Sequence, residues 1–274
     1  MARELLRRAC EAVRALGALG AESLVQPLVT LVRDRSRPQV WDANHACAIR
    51  ARSSHEIDAV FAACDRAFPA EIHHRQFRCD PLTPEPFVAR LEWAGFEPHA
   101  TVQMLLEGPL CGPAPAPIDI RPAESEEDWH SHARLVRAEL ADRASREGGA
   151  AYAEEVSRGL AELRRAMAPE VQVFLARLDG EDCGTLAAWP GREEIGVVEW
   201  LFTDPCQRRR GVARALVAHA VADARARGAG PVLIGPDAGP HDVPRRLYAQ
   251  LGFRPLCVTR SYTRRLPAND PILA

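Results

Sequence analysis

Lysine is absent from this 274-residue chain; all 35 basic residues are arginine. Neither a Schiff base nor a lysine general base is therefore open to it. A basic excess is missing too, because 37 acidic residues leave a formal net charge of −2. A nucleic-acid binder ordinarily carries a positive surplus, so no such partner is expected. No run approaches the ~18 uninterrupted apolar residues of a transmembrane helix. Met1 to Gly20 threads Arg and Glu through its apolar positions, which argues against a secretory signal or transit peptide. These absences predict a cytoplasmic protein with no membrane partner. The eight cysteines (Cys10, Cys47, Cys64, Cys79, Cys111, Cys183, Cys206 and Cys257) contain no C-x-x-C pair and no zinc spacing. They read as buried or idle thiols, and no metal is expected.

What is present is a globular composition, 47% hydrophobic and 26% charged. The length gives a prior of two domains. The alternating prolines of Cys111-Gly112-Pro113-Ala114-Pro115-Ala116-Pro117 make a stiff extended connector. The expected division is 1–112, a linker at 113–117, 118–266 and a tail at 267–274. After the linker comes a short strand at 118–121, then helices near 125–142 and 151–167. The second helix places Val156, Leu160, Leu163 and Met167 on one apolar face. Strands follow at 171–178, 183–189 and 196–203, a helix at 211–227, a strand at 231–235, a helix at 242–251 and a last strand or hairpin. The fold class is α/β with a mixed sheet.

The first half ends the same way. A strand at 45–51 leads to a capping box, Ser53 with Glu56 three residues on, which opens a helix. A strand at 72–78 follows, then a helix started by Thr83-Pro84 and a final strand. Helices are expected near 3–17 and 22–33. Ala94-Gly95-Phe96-Glu97-Pro98 matches Leu251-Gly252-Phe253-Arg254-Pro255 at an offset of 157, and the same offset sets the helix start at Ser54 against Gly211. A fixed offset over some 40 residues indicates two copies of one β-α-β-α-β unit.

The stretch most specific for chemistry is Leu201-Phe202-Thr203-Asp204-Pro205-Cys206-Gln207-Arg208-Arg209-Arg210-Gly211-Val212-Ala213. A strand ends, the chain turns, and a helix begins with Arg-x-x-Gly-x-Ala. Glycine and a small residue let backbone approach a bulky anion, and the N–H groups of the first helical turn point at it. Three consecutive arginines add donors suited to phosphate. The G-K-[ST] of a Walker loop and the G-x-G-x-x-G of a Rossmann fingerprint are both missing. A pyrophosphate cradle of another kind is implied.

This stretch resembles the acetyl-CoA-binding motif of the GNAT acyltransferase superfamily. A second family motif, an aromatic-bearing helix ending in L-G-F, is similar to Leu247-Tyr248-Ala249-Gln250-Leu251-Gly252-Phe253. The resemblance covers about 118 to 265. It implies that the main chain of Phe202 and Thr203 bonds the pantetheine arm of acetyl-CoA, or of another short acyl-CoA. Arg208, Arg209, Arg210, Gly211, Val212 and Ala213 would hold the pyrophosphate. Tyr248 takes the position of the family's general acid, and a phenol of pKa ~10 suits proton donation at neutral pH. Glu199, a carboxylate inside VVEWLF, is the candidate general base, and strict alternation puts it on one face with Leu201 and Thr203. Trp189 and Trp200 are candidates for an acceptor pocket or for core. The family's usual Asn before the Tyr is replaced by His241.

At the 157 offset the first half has Ser54 for Gly211, Ala51 for Arg208, Glu56 for Ala213 and Leu91 for Tyr248. It resembles a GNAT domain that has been shortened and has lost its cofactor site. In the tandem arrangement such a half helps shape the acceptor pocket, with Trp41, Asp42, Asn44, His45, His73 and His74 as candidates or as ordinary turn and strand residues. The implied activity is N-acyl transfer from acyl-CoA to a small-molecule amine acceptor. A non-catalytic acyl-CoA sensor, or an aminoacyl or longer-acyl transferase, are the alternatives. An internal pseudo-dimer lessens the need for a second chain and favours a monomer over a homodimer.

Overall fold

The computed structural model describes residues 2–69, 71–112, 117–147, 152–192, 194–239 and 243–265. His241, residues 113–116 of the linker and the 267–274 tail lie outside them. The described chain forms seven α-helices and eleven strands. It divides into two compact units, the first made of Met1–Gln103, Pro236–Asp242 and Leu256–Ala274, the second of Met104–Gly235 and Val243–Pro255.

The first unit opens with α1 (Ala2–Gly17). The helix expected at 22–33 is instead a hairpin of β1 (Glu22–Val25) and β2 (Thr30–Arg33), with Leu24 opposite Leu31. Pro27 removes a donor that a helix needs and presets φ for the tight connection. The β-branched Val25, Val29, Thr30 and Val32 favour extended chain. The strand expected at 45–51 is only β3 (His45–Cys47), because Ala48 turns to φ +52°. Then come α2 (Ser54–Ala67), β4 (His74–Cys79), α3 (Glu85–Trp93) and β5 (Glu97–Leu106). Ser53 and Glu56 form both bonds of the capping box. Thr83 does not cap α3; its hydroxyl accepts from the Asp80 N–H, and Pro84 itself stands at the N-cap.

The first unit's sheet runs β1-β2-β3-β4-β11-β5, where β11 is Arg254–Arg265. Phe61, Phe77, Phe87 and Phe96 fill its core with ring centroids 5.4–6.4 Å apart. Tyr262 of β11 is buried there and its hydroxyl donates to Glu92 at 2.9 Å.

The second unit holds β6 (Asp119–Pro122), α4 (Glu126–Glu147), α5 (Glu154–Ala166), β7 (Gln172–Leu178), β8 (Glu181–Trp189), β9 (Gly196–Thr203), α6 (Val212–Ala226), β10 (Val232–Ile234) and α7 (Val243–Gln250). Its sheet runs β5-β10-β9-β8-β7-β6, with Met104–Leu106 of β5 pairing antiparallel to β10. Helix α6 packs on β8 so closely that a Cβ on Gly184 would lie 2.9 Å from Val212 Cγ1. On the opposite face His132 of α4 reaches Thr185 of β8.

The repeat is visible in the elements. α3 and α7 end in the same glycine motif: Phe96 N–H bonds the Leu91 carbonyl across Gly95, and Phe253 N–H bonds the Tyr248 carbonyl across Gly252. Gly95 and Gly252 adopt φ +74° and +100°. The compact units nonetheless differ from the linear halves, since the last strand of each half contributes residues to the other unit's sheet.

Candidate active site

Strand β9 carries a register irregularity against β8. Val197 faces Trp189, Val198 faces Ala188 and Glu199 faces Ala187, but Phe202 faces Thr185 and Thr203 faces Gly184. Three steps along β9 therefore match two along β8. This is a β-bulge at Trp200–Leu201, with Trp200 at φ +62°. Residues directly opposite each other point to the same side of a sheet. Glu199 thus shares a face with Ala187, Thr185 and Phe202. The expectation that it shares one with Leu201 and Thr203 is overturned, because alternation fails at the inserted residue.

The other edge of β9 is paired only in part. Parallel β10 covers Gly196, Val197 and Val198 and no further. From Glu199 to Thr203 the main chain has no strand partner on that edge among the described residues. This stretch includes Phe202 and Thr203, the two residues whose main chain the family resemblance assigns to an extended ligand arm. Thr203 Oγ1 is buried without a hydrogen-bond partner among the described residues.

β9 runs into a turn in which Asp204 accepts from the Cys206 N–H at 2.9 Å. Arg209 adopts φ +66° and Gly211 φ +89°, and Gly211 is the N-cap of α6. No side chain caps this helix. Its first-turn N–H groups, beginning with Val212 and Ala213, are left for an outside acceptor. At the matching position of the first unit, Ser53 and Glu56 close the N-terminus of α2. The three arginines are not equivalent. Arg208 is bonded to Asp142 at 2.6 Å and to the Thr203 carbonyl. Arg210 is bonded to Asp179 at 2.7 Å. Arg209 is exposed and makes no ion pair among the described residues. Of the three arginines expected to offer donors to phosphate, two are thus held by carboxylates, the part-buried Asp142 and the exposed Asp179.

Tyr248 lies in α7, 4% exposed, with its ring 6.1 Å from that of Phe253. Trp189 is core, 2% exposed. Trp200 carries the Arg164 guanidinium 4.8 Å above its ring. In the first unit, Asn44 and His45 are buried. Asn44 donates to the Arg37 and Val40 carbonyls, and the His45 ring bonds the Asp42 carbonyl. His74 bonds the Asn44 carbonyl and packs on Trp41, Asp42 pairs with Arg78, and His73 is exposed.

Two polar residues escaped the sequence reading. His132 is 1% exposed, with Nδ1 3.1 Å from Thr185 Oγ1, on the Glu199 face. Burial and the nearby Arg164 charge push its pKa down to about 3, so it is neutral at ordinary pH. Arg164 is 2% exposed and donates to Glu139 at 3.2 Å. Their signal lay in helical spacing: Arg164 follows Ser157, Leu160 and Ala161 on the buried stripe of α5, and His132 shares one with Trp129 and Val136.

Residues 169–255 match a family model described as an acetyltransferase (GNAT) domain. No curated protein matches the chain. Among solved structures, a GCN5-related N-acetyltransferase from Kribbella flavida is similar over 93% of this chain and 95% of its own, with a TM-score of 0.67 and 20% identity. A functionally unknown conserved protein from Staphylococcus epidermidis reaches 0.67 at 8% identity, over 90% of this chain and 95% of its own. A tandem GNAT protein from the clavulanic acid biosynthesis pathway reaches 0.52 at 14% identity, over 88% and 79%. At these identities the likeness is one of fold. The family match itself covers residues 169–255 alone.

Proposed function

We propose that this GNAT-fold chain is an N-acyltransferase that moves an acetyl or other short acyl group from acyl-CoA to the amine of a small molecule by direct transfer. The observation that carries the reading is the uncapped N-terminus of α6 beside the half-paired edge of β9. An anion fits there, because free N–H groups, the helix dipole and exposed Arg209 converge on one turn, and Gly211 at φ +89° leaves no side chain in the way. Phe202 and Thr203 would hold the pantetheine arm by main-chain bonds. Arg209, Gly211, Val212 and Ala213 would hold the pyrophosphate, and Arg208 and Arg210 would exchange carboxylate for phosphate contacts. The bound co-substrate supplies an acyl group activated as a thioester.

The chain's own residues supply positioning and proton transfer. Glu199 takes a proton from the incoming amine, which must be neutral to attack. Tyr248 gives one to the departing sulfur. The first half is silent in this reading, since its own carboxylate and hydroxyl already satisfy the N–H groups of α2.

A ligand that binds only the folded protein raises its melting temperature. The expected result is a rise with acetyl-CoA in the wild-type chain and none in Gly211→Glu, whose side chain is strained at positive φ and brings a carboxylate to the anion site. Absence of a rise in the wild-type chain at saturating acetyl-CoA, free CoA and longer acyl-CoAs overturns the reading.

A further inference from the structure

The face of β8 and β9 that carries Glu199 holds a cluster the proposed acyl-CoA site does not use. His132 from α4 is bonded through Nδ1 to Thr185, while its Nε2 is buried and has no hydrogen-bond partner among the described residues. Arg164 from α5 stacks on Trp200, the residue next to Glu199. Its Nη1 reaches Glu139, and its Nε is buried with no partner among the described residues. Trp129 closes edge-on against the His132 ring at 5.9 Å.

Such a cluster is a poor way to hold α4, α5 and the sheet together. A buried guanidinium loses its hydration, and one ion pair at 3.2 Å with a ring face leaves part of its donor set unmet. Apolar residues of similar volume would hold the same helices at least as well. The Nε edge is the edge of arginine that forks onto a carboxylate. When the Thr185 hydroxyl donates to Nδ1, the His132 proton sits on Nε2, which becomes a second donor.

We propose that Arg164 and His132 form a carboxylate subsite, and that the acceptor is an amine which also carries a carboxylate, an amino acid or a close relative. The inference rests on the acyltransferase reading and narrows its acceptor class. The acid group is held by Arg164 and His132 on the Glu199 face, so the amine of the same molecule lies within reach of the proposed base. Trp200 holds the planar guanidinium in place from its ring face. Arg164 and His132 are binding residues here; neither exchanges a proton in the transfer.

The test is a melting-temperature titration of the full chain, saturated with CoA, using α-, β- and γ-amino acids and their matched carboxamides as probes. The expected result is that at least one free acid raises the melting temperature and its carboxamide does not. In Arg164→Gln that acid binds at least tenfold more weakly, while the rise with acetyl-CoA is unchanged. His132→Gln, and Arg164→Lys, which keeps the charge and loses the fork, give intermediate losses and carry the test should Arg164→Gln not fold. The proposal is overturned if carboxamides bind as well as acids, if the variants bind acids normally, or if no acid binds a chain that does bind acetyl-CoA. A chain that binds an acid through Arg164 and does not respond to acetyl-CoA keeps the carboxylate subsite and loses the acyltransferase reading.

Discussion

Replacing the Tyr248 phenol by a phenyl ring removes one transferable proton and almost no volume. Glu199→Gln likewise keeps the shape of the side chain and removes a base. If the two act as proposed, each variant lowers kcat by roughly 10²–10⁴, the usual range for a positioned acid or base. KM for acetyl-CoA stays near the wild-type value, because neither side chain belongs to the proposed anion cradle. Thiol titration of released CoA, with a working acceptor present, measures both. A variant that raises KM and spares kcat would make its residue a binding group instead. These two candidates, and the 208–213 turn, stand out in the sequence because a chemically suited residue and a local pattern coincide there. Arg164 and His132 are not, because a charged residue within an apolar stripe looks the same in sequence whether it is buried or rotated towards water.

The elements show where local pattern fails. Glu199 changes neighbours because one extra residue at Trp200–Leu201 resets the alternation, and period-two counting has no means of detecting an insertion. The 22–33 segment becomes a hairpin because Pro27 and β-branched residues outweigh an apolar spacing that suits either structure. The two matched glycine caps give a quantitative test. An alanine at Gly95 meets no atom within 4 Å, so Gly95→Ala costs only the left-handed backbone penalty, about 1 kcal/mol. An alanine at Gly252 sits at φ +100° with Cys111 Sγ at 3.1 Å and Leu106 Cδ1 at 3.3 Å. Crowding then adds to strain, and Gly252→Ala is expected to cost about 2 kcal/mol or more. Urea denaturation of both variants checks the order; equal losses would show that the neighbours of Gly252 yield freely.

Across the whole molecule, buried histidines set the response to acid. His45 and His74 in the first unit and His132 in the second are all nearly inaccessible. Burial is the main cause that depresses each: His74 to about 4, His132 to about 3 and His45 well below its usual value. Above pH ~6.5 these rings are neutral in both folded and unfolded chains. Below it the unfolded chain takes up protons that the folded one refuses, so stability falls as the pH drops from 6.5 towards 4. Carboxylates with depressed pKa, such as Asp128 at about 2, lose their contribution only below the unfolded value of 3.8, outside this window. The melting temperature is therefore expected to fall between pH 7 and pH 5. His132→Gln should flatten the fall by on the order of 2 kcal/mol at pH 5. An unchanged slope in that variant would mean His132 is protonated in the folded chain.

The sequence by itself determined that this is an α/β chain with a mixed sheet and a repeated β-α-β-α-β unit, and it singled out one turn as the candidate anion site. Composition, a 157-residue offset and the Arg-x-x-Gly-x-Ala start of α6 are local quantities and survive without a fold. Only the tertiary structure decided which strand completes which sheet: β10 takes residues of β5 as its antiparallel neighbour, and β4 takes β11. Strands with the same glycine-capped approach and the same alternation offer equivalent edges, so their pairing is chosen by packing over long sequence separations. The same holds for the uncharged state of His132 and the half-satisfied guanidinium of Arg164. Desolvation and neighbouring charge come from residues far apart in the chain, and only the folded arrangement brings them to one face.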